Sequence, residues 1–172
     1  MRRVLVVAAL ANLLAAACGY HIAGRADRLP RSVRSIAVPA FANLTTRYRL
    51  AESLPAAITQ EFLSRTRYRI VADPAEADAV LNGVIVSYNS YPTVFDPATA
   101  RATGVAVSVT LQITLTERAT GRVLFSRSHL EARERYEIAV DQRSYLDESD
   151  AALERLSRQV ARAVVSAVLE SF

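Results

Sequence analysis

Lysine is absent from this sequence, cysteine and methionine occur once each, histidine twice and glycine only five times in 172 residues. One thiol cannot close a disulfide within the chain, and it cannot supply the paired-cysteine spacing of a structural zinc site. No H-E-x-x-H appears, and no glycine-rich phosphate loop follows a strand. With 51% hydrophobic residues, five glycines and six prolines, the chain is neither disordered nor of low complexity. All 21 basic residues are arginine, most simply a GC-rich codon bias, although arginine is also the better fork for bidentate phosphate contacts. The formal charge of +4 is too weak to point to nucleic acid.

What is present is concentrated first at the N-terminus. Arg2 and Arg3 precede an apolar run from Val4 to Leu14, then Ala15-Ala16-Ala17 and the lone Cys18. A positive start, a short apolar stretch and small residues make a cleavable signal. The run is well short of the ~18 residues that a membrane span needs. A signal ending on a lone cysteine reads as that of a bacterial lipoprotein. The Cys18 thiol takes a diacylglycerol, the chain is cut before it, and the new amine is acylated. These covalent N-acyl and S-diacylglycerol groups are the only cofactors expected. Leu14 lies one place further from the cysteine than the usual leucine of such signals, and Ala15 stands in its position. Gly19 replaces the aspartate that would retain the protein at the inner membrane, so sorting to the periplasmic face of the outer membrane is expected. Without Arg2 and Arg3 the net charge is +2. The expected organisation is a signal over 1–17, an extended lipidated leader over 18–34 and one domain over 35–172.

Within that domain the patterns alternate. Ser35 to Phe41 reads as a short strand, with Pro39 favouring an edge or a strand end. Asn43-Leu44-Thr45-Thr46 is a turn with helix-capping side chains. Leu50, Leu54, Ile58 and Phe62 recur at i, i+4 and predict a helix ending near Arg65. Pro55 either kinks it or sits in the first turn of a helix starting at Ser53. Tyr68 to Val71 and Ala79 to Tyr91 read as strands, and Asn89 to Arg101 as a loop punctuated by Pro92 and Pro97. From Val105 to Thr116 apolar residues alternate with Ala106, Ser108, Thr110, Gln112, Thr114 and Thr116, a strand with one buried and one hydroxyl-rich face. A hairpin turn over Glu117 to Arg122 leads into a strand from Val123 to Ala132. Leu153, Leu156, Val160, Val164 and Val168 define a last helix, with Asp147, Ser149 or Asp150 as cap. The order predicts an α/β, two-layer α+β sandwich. Two helices pack on one face of a mixed four- to five-stranded sheet, in the order β-α-β-β-β-β-α or β-α-β-β-β-α.

Catalytic chemistry has little to draw on. His21 lies three residues from the anchor, and His129 reads as a solvated residue on a strand. Asp73, Glu76 and Asp78 form an acidic cluster in a connector, which reads as a solvated turn. A non-enzymatic binding role is expected. The hydroxyl-rich strand face reads either as solvent-exposed or as docking inside a water-filled partner. The aromatics of Tyr88 to Phe95 near Arg101 read first as a hydrophobic latch under a loop and second as a ligand contact.

Taken in order, Cys18-Gly19-Tyr20-His21, Leu29-Pro30, Ile36-Ala37-Val38-Pro39 with Phe41 and Asn43, Ala77 to Gly83, and Thr120 to Phe125 give the chain a further meaning. With the C-terminal helix, they make the whole mature chain resemble LptE, the lipopolysaccharide-assembly lipoproteins of the outer membrane. The resemblance implies a plug within the barrel of an LptD-like translocon, assisting its folding and lipopolysaccharide export. It also implies lipopolysaccharide contact through basic residues at loop ends. Phe95 matches an aromatic at the loop tip, followed here by Asp96 where a basic residue is expected. Arg101 is then the nearest substitute and Arg143 a second candidate. Lipoproteins of the curli-secretion-channel and cell-wall-synthase-activator type share a similar α/β unit and imply a ring or a synthase partner instead. A periplasmic hydrolase using His129 or Asp78 is a third reading.

Overall fold

The alternation from Val105 to Leu115 organises the molecule. The computed structural model describes residues 29–137 and 142–172, with side chains in the second segment described from 149 onward. Cys18, His21, the signal and the leader up to residue 28 lie outside the described residues. The strands are β1 (Ser35–Ala37), β2 (Ala42–Asn43), β3 (Arg69–Val71), β4 (Ala79–Phe95), β5 (Ala102–Glu117) and β6 (Val123–Glu137). Helix α1 (Leu50–Arg65) follows β2, a single 3-10 turn (Pro74–Glu76) follows β3, and α2 (Gln142–Glu170) closes the chain. The sheet runs β3-β1-β4-β5-β6, with β2 also on β4. Strands β1, β2 and β3 enter by parallel pairing, whereas β4-β5 and β5-β6 are antiparallel.

Both helices cover the face that carries Val105, Val107, Val109, Leu111, Ile113 and Leu115, all buried. They meet it with Leu50, Leu54, Ile58 and Phe62 from α1 and Leu156, Val160, Val164 and Val168 from α2. The helices run parallel: Arg49 holds Asp150 at 2.9 Å near one end and Arg65 donates to Ser166 Oγ at 2.9 Å near the other. A βαβ crossover and a strand pair separated by the sheet's width place them so. The expected layers and element order therefore hold, with one strand more: the predicted Ser35–Phe41 strand is confined to Ser35–Ala37, and the two-residue β2 follows at Ala42–Asn43, entering the predicted turn.

Four local expectations are corrected. Helix α1 starts at Leu50 and runs unbroken through Pro55, so it does not begin at Ser53. Pro55 has no N–H for the Ala51 carbonyl, and the Phe41 N–H, arriving from the preceding connection, fills that place at 3.0 Å. Asn43 and Thr45 do not cap the helix, whose N-cap position is Arg49 without a side-chain bond. Asn43 Oδ1 instead accepts from the Thr45 N–H and hydroxyl, and its amide donates to the Arg47 carbonyl. The predicted loop over 89–101 is mostly strand, since β4 runs to Phe95 and pairs with β5 as far as Ala102. Pro92 is tolerated because β2 leaves β4 at Ile85, so at Pro92 that edge has no neighbour among the described residues. Helix α2 begins at Gln142, upstream of every residue proposed to cap it.

Carboxylates tie the lower end of the sheet. Asp78 Oδ2 accepts from the Arg34 and Ser35 N–H groups, both at 2.9 Å, and from the Ser35 hydroxyl at 3.0 Å. Donation from the Arg34 N–H is the main cause holding its pKa below the ordinary value; partial burial opposes, and the Ser35 bonds and the Arg69 charge add to the lowering. Asp78 is therefore a structural clasp and not merely a solvated connector residue. The largely buried Glu117 accepts from Thr120 at 2.6 Å and Ser32 at 2.7 Å, and its pKa is lowered by these bonds, Thr120 first, and by Arg122. Leu29 and Val33 are buried beside them, so the packed body already includes this part of the leader.

The clasp and the packing around Gly83 can each be tested. Because both carboxylates have folded pKa values below their unfolded ones, their stabilisation is complete above about pH 5 and is lost as the pH falls through the unfolded and then the lower, folded values. Thermal melts should show Asp78→Asn and Glu117→Gln less stable at neutral pH and less sensitive to acid than the wild type. An unchanged acid slope would refute the clasp. Gly83 is buried with the Phe41 ring where a side chain would stand, a Cβ falling 2.5 Å from Phe41 Cδ2. Gly83→Ala should cost about 1–3 kcal/mol in denaturant unfolding by overpacking.

Candidate binding surfaces

The sequence assigns functional residues to the β4-β5 hairpin, and the structure places them at its tip. Thr93 to Phe95 zip against Ala102 to Gly104, confining the turn to residues 96–101. The Asp96 N–H donates to the Arg101 carbonyl at 2.9 Å, and Ala100 takes a left-handed φ of 54°. Asp96 is what closes this turn. Its Oδ1 accepts from the Ala98 N–H at 2.7 Å, and that bond, with Thr99, keeps its pKa below the usual carboxylate value. The acidic residue at the place of an expected basic one thus faces the turn's own backbone. Phe95 is 56% exposed, Arg101 is exposed, and the two flank the turn. Arg143 is the second residue of α2; its side chain lies outside the described set. Glu137 pairs with Gly104, so β6 delivers the chain toward α2 at the same end of the sheet as the tip.

Part of this surface lies on strand and not on loop. Tyr91 and Val94 are exposed beside Phe95 because β4 continues where a loop was expected. Tyr91 lies opposite Ala106, whose other neighbour is Arg135, while Asn89 and Arg133 flank Ser108. Ala106 and Ser108 are consequently buried between longer neighbours although they lie on the face without helices. The hydroxyl-rich face of β5 is therefore graded. Its upper third is covered by adjacent side chains, Thr110, Thr114 and Thr116 are half-buried, and Gln112 is open. Asn82 and Ser126, opposite Thr114 on either side, are also exposed. No element among the described residues packs on this face.

A catalytic arrangement does not emerge from the named residues. His129 is exposed on β6, whereas Asp78 is bound to Ser35 before β4, with β5 between them. Among the described residues no three His, Cys, Asp or Glu side chains gather as a metal site. A groove of about 1250 Å³ runs beside α1 against α2, lined by Ser53, Ala57, Ser157 and Ala161. Its rim charges, Arg49 with Asp150 and Arg158 with Glu154, satisfy each other. No described helix is long and apolar enough to cross a membrane.

Residues 33–168 match the family model described as LptE, lipopolysaccharide-assembly. No curated protein matches the sequence. Among solved structures the fold resembles lipoprotein B from Nitrosomonas europaea, with TM-score 0.56 and 12% identity over 89% of this chain and 93% of that one. Rare lipoprotein B from Shewanella oneidensis gives 0.53 and 11% over 78% and 95%. A point variant of the PelC dodecamer from Paraburkholderia phytofirmans gives 0.51 and 17% over 80% and 89%.

The tip side chains carry no fold of their own. Phe95→Ala and Arg101→Ala should leave unfolding free energy within about 0.5 kcal/mol of wild type, as surface substitutions do. Asp96→Ala should loosen the turn, read as faster amide exchange at Ala98 and Ala100.

Proposed function

The chain belongs to the LptE family of lipopolysaccharide-assembly proteins, and from that premise we propose a non-enzymatic outer-membrane lipoprotein that docks inside an LptD-like β-barrel. There it assists barrel assembly and lipopolysaccharide transport. The observation that carries this reading is the uncovered sheet face. Both helices lie on one side, and the other presents Asn82, Gln112, Thr114, Thr116 and Ser126, interleaved with the part-exposed Val80, Val84 and Val86 of β4, with nothing packed on them among the described residues. The lumen of a membrane barrel is polar and hydrated. The amides and hydroxyls of this mixed face exchange hydrogen bonds with such a surface, directly or through water, at little desolvation cost. An apolar face would instead seek lipid or aggregate.

The tip supplies a complementary chemistry. Tyr91, Val94 and Phe95 beside Arg101 offer apolar area next to a guanidinium, which suits an amphipathic, phosphorylated glycolipid. Acylation of Cys18 holds the body at the periplasmic side of the outer membrane. One chain anchors marginally, and two or more anchor stably at about 0.8 kcal/mol per buried CH₂. The ring-forming or synthase-activating alternative rests on the same α/β unit and differs in its partner.

Affinity isolation of the detergent-extracted protein separates these readings. One large β-barrel is expected to accompany it. The paired substitution Asn82→Arg with Gln112→Arg, both on exposed positions of the open face, should lower barrel recovery about tenfold or more while leaving the melting temperature near wild type. Recovery of a self-assembled ring or of a peptidoglycan synthase, with no barrel, would overturn the proposal.

A further inference from the structure

The topology gathers arginines at the end opposite the hairpin tip. Arg31 and Arg34 precede β1, Arg67 and Arg69 lie at the start of β3, and Arg118 and Arg122 belong to the β5-β6 turn. Backbone bonds fix these segments side by side. The Arg69 N–H donates to the Arg34 carbonyl at 3.0 Å, and the Arg118 N–H to the Asp78 carbonyl at 2.8 Å. Asp78 in turn accepts from the Arg34 N–H, and Ser32 donates to Glu117 beside Arg122. All six arginines are exposed, and only Arg122, 3.6 Å from Glu117, has a carboxylate in ion-pair reach among the described residues.

Four carboxylates share this end, Asp73, Glu76, Asp78 and Glu117. Bonds from neutral N–H and hydroxyl donors leave them ionised, so the six arginines exceed them by two charges, to which Arg25 and Arg28 of the leader add. Arg69 feels Asp78 through space without touching it. Toward the tip most arginines with described side chains already hold a partner. Arg47 lies 5.1 Å over the Tyr88 ring, and Arg49, Arg133 and Arg155 each bind a carboxylate. This end therefore carries a net excess of positive charge, on arginines that mostly lack a carboxylate of their own.

That end is also where the chain enters. The Leu29 N–H donates to the Tyr68 hydroxyl at 3.3 Å, directly beside Arg67 and Arg69. From Cys18 to Leu29 is a leader of eleven residues, a tether of at most about 40 Å when extended. Arg25 and Arg28 lie on it. We propose that this arginine face is a second membrane-docking element, which binds the phosphates of anionic glycerophospholipids in the leaflet that holds the acyl chains. The inference rests on Cys18 being the anchor point. The tether raises the local concentration of headgroups at this end, and exposed guanidinium forks take phosphate oxygens in pairs. Together they orient the body with its base on the lipid and its hairpin pointing away.

The test uses the chain from residue 18 onward, unacylated and with Cys18→Ser. It is sedimented with vesicles of phosphatidylethanolamine and phosphatidylglycerol, with pure phosphatidylcholine vesicles, and with vesicles carrying lipid A. Binding is expected to the phosphatidylglycerol vesicles, to vanish at high salt and to be absent from phosphatidylcholine. Arg31, Arg67 and Arg69 donate no side-chain bond within the described fold, so replacing all three by Gln should preserve the circular dichroism and melting temperature. At about fivefold per arginine, that variant should bind on the order of a hundredfold more weakly. Arg135→Gln, at the other end, should bind the phosphatidylglycerol vesicles as wild type. Equal binding to neutral vesicles, a preference for lipid A, or no loss in the triple variant would each overturn the proposal. Loss of barrel co-isolation with vesicle binding intact would do the same, assigning the face to protein. The tested chain carries no acyl group, so the result is independent of the acylation of Cys18, which the mass of the mature N-terminus decides.

Discussion

Everything in this molecule depends on burying one side of β5. Without a disulfide the fold stands on packing, and the six apolar side chains from Val105 to Leu115 are the longest uninterrupted surface available to pack. Two helices suffice to cover them because α2, at 29 residues, spans about 43 Å. Using both helices there leaves nothing for the opposite face. The polar alternates of β5 are therefore a requirement of the fold before they are a feature of function: with no layer to cover them, apolar residues would expose a continuous patch. Function has adopted a surface that solubility already demanded to be polar.

Periodicity made much of this legible. A strict period of two over twelve residues and i, i+4 repeats in both helices are signals that packing itself imposes, so they located β5, α1 and α2 directly. What stayed hidden was local and depended on partners distant in sequence. Pro55 looked like a helix breaker because the Phe41 N–H that replaces the lost bond comes from fourteen residues upstream. The stretch from Asn89 to Phe95 looked like a loop because Pro92 and the exposed Ser and Asn conceal a strand that pairs on one side only. Asn43 and Thr45 had the right side chains for a cap, yet satisfied the turn before the helix.

The candidate sites divide along the same line. Phe95 and Arg101 were legible through family resemblance, since the tip is one contiguous segment. Asp96 showed as a departure, and only the turn geometry explains it as the residue that closes the hairpin. The arginine face could not be read from sequence at all. Its members come from three regions between residues 31 and 122 and converge because β1 and β3 start, and β4 and β5 meet, at one end of the sheet. In sequence they are scattered basic residues in a chain whose total charge is nearly balanced.

The two ends of the sheet consequently have different chemistry, and the fold keeps them apart. β4 runs 17 residues, about 55 Å, from the Asp78 clasp to Phe95. A tether that enters at the clasp and an aromatic tip at the far end cannot both reach the same leaflet surface unless the molecule lies flat on it. Lying flat would press either the helix layer or the polar sheet face onto lipid, and neither offers an apolar contact surface of that extent. With the proposed anchor and the proposed arginine contact, the arrangement that avoids this is upright, the arginine end at the phosphates and the hairpin directed away from them. Under the proposed docking in a barrel, this polarity would set which end meets the leaflet and which end meets the cargo, and it follows from strand direction.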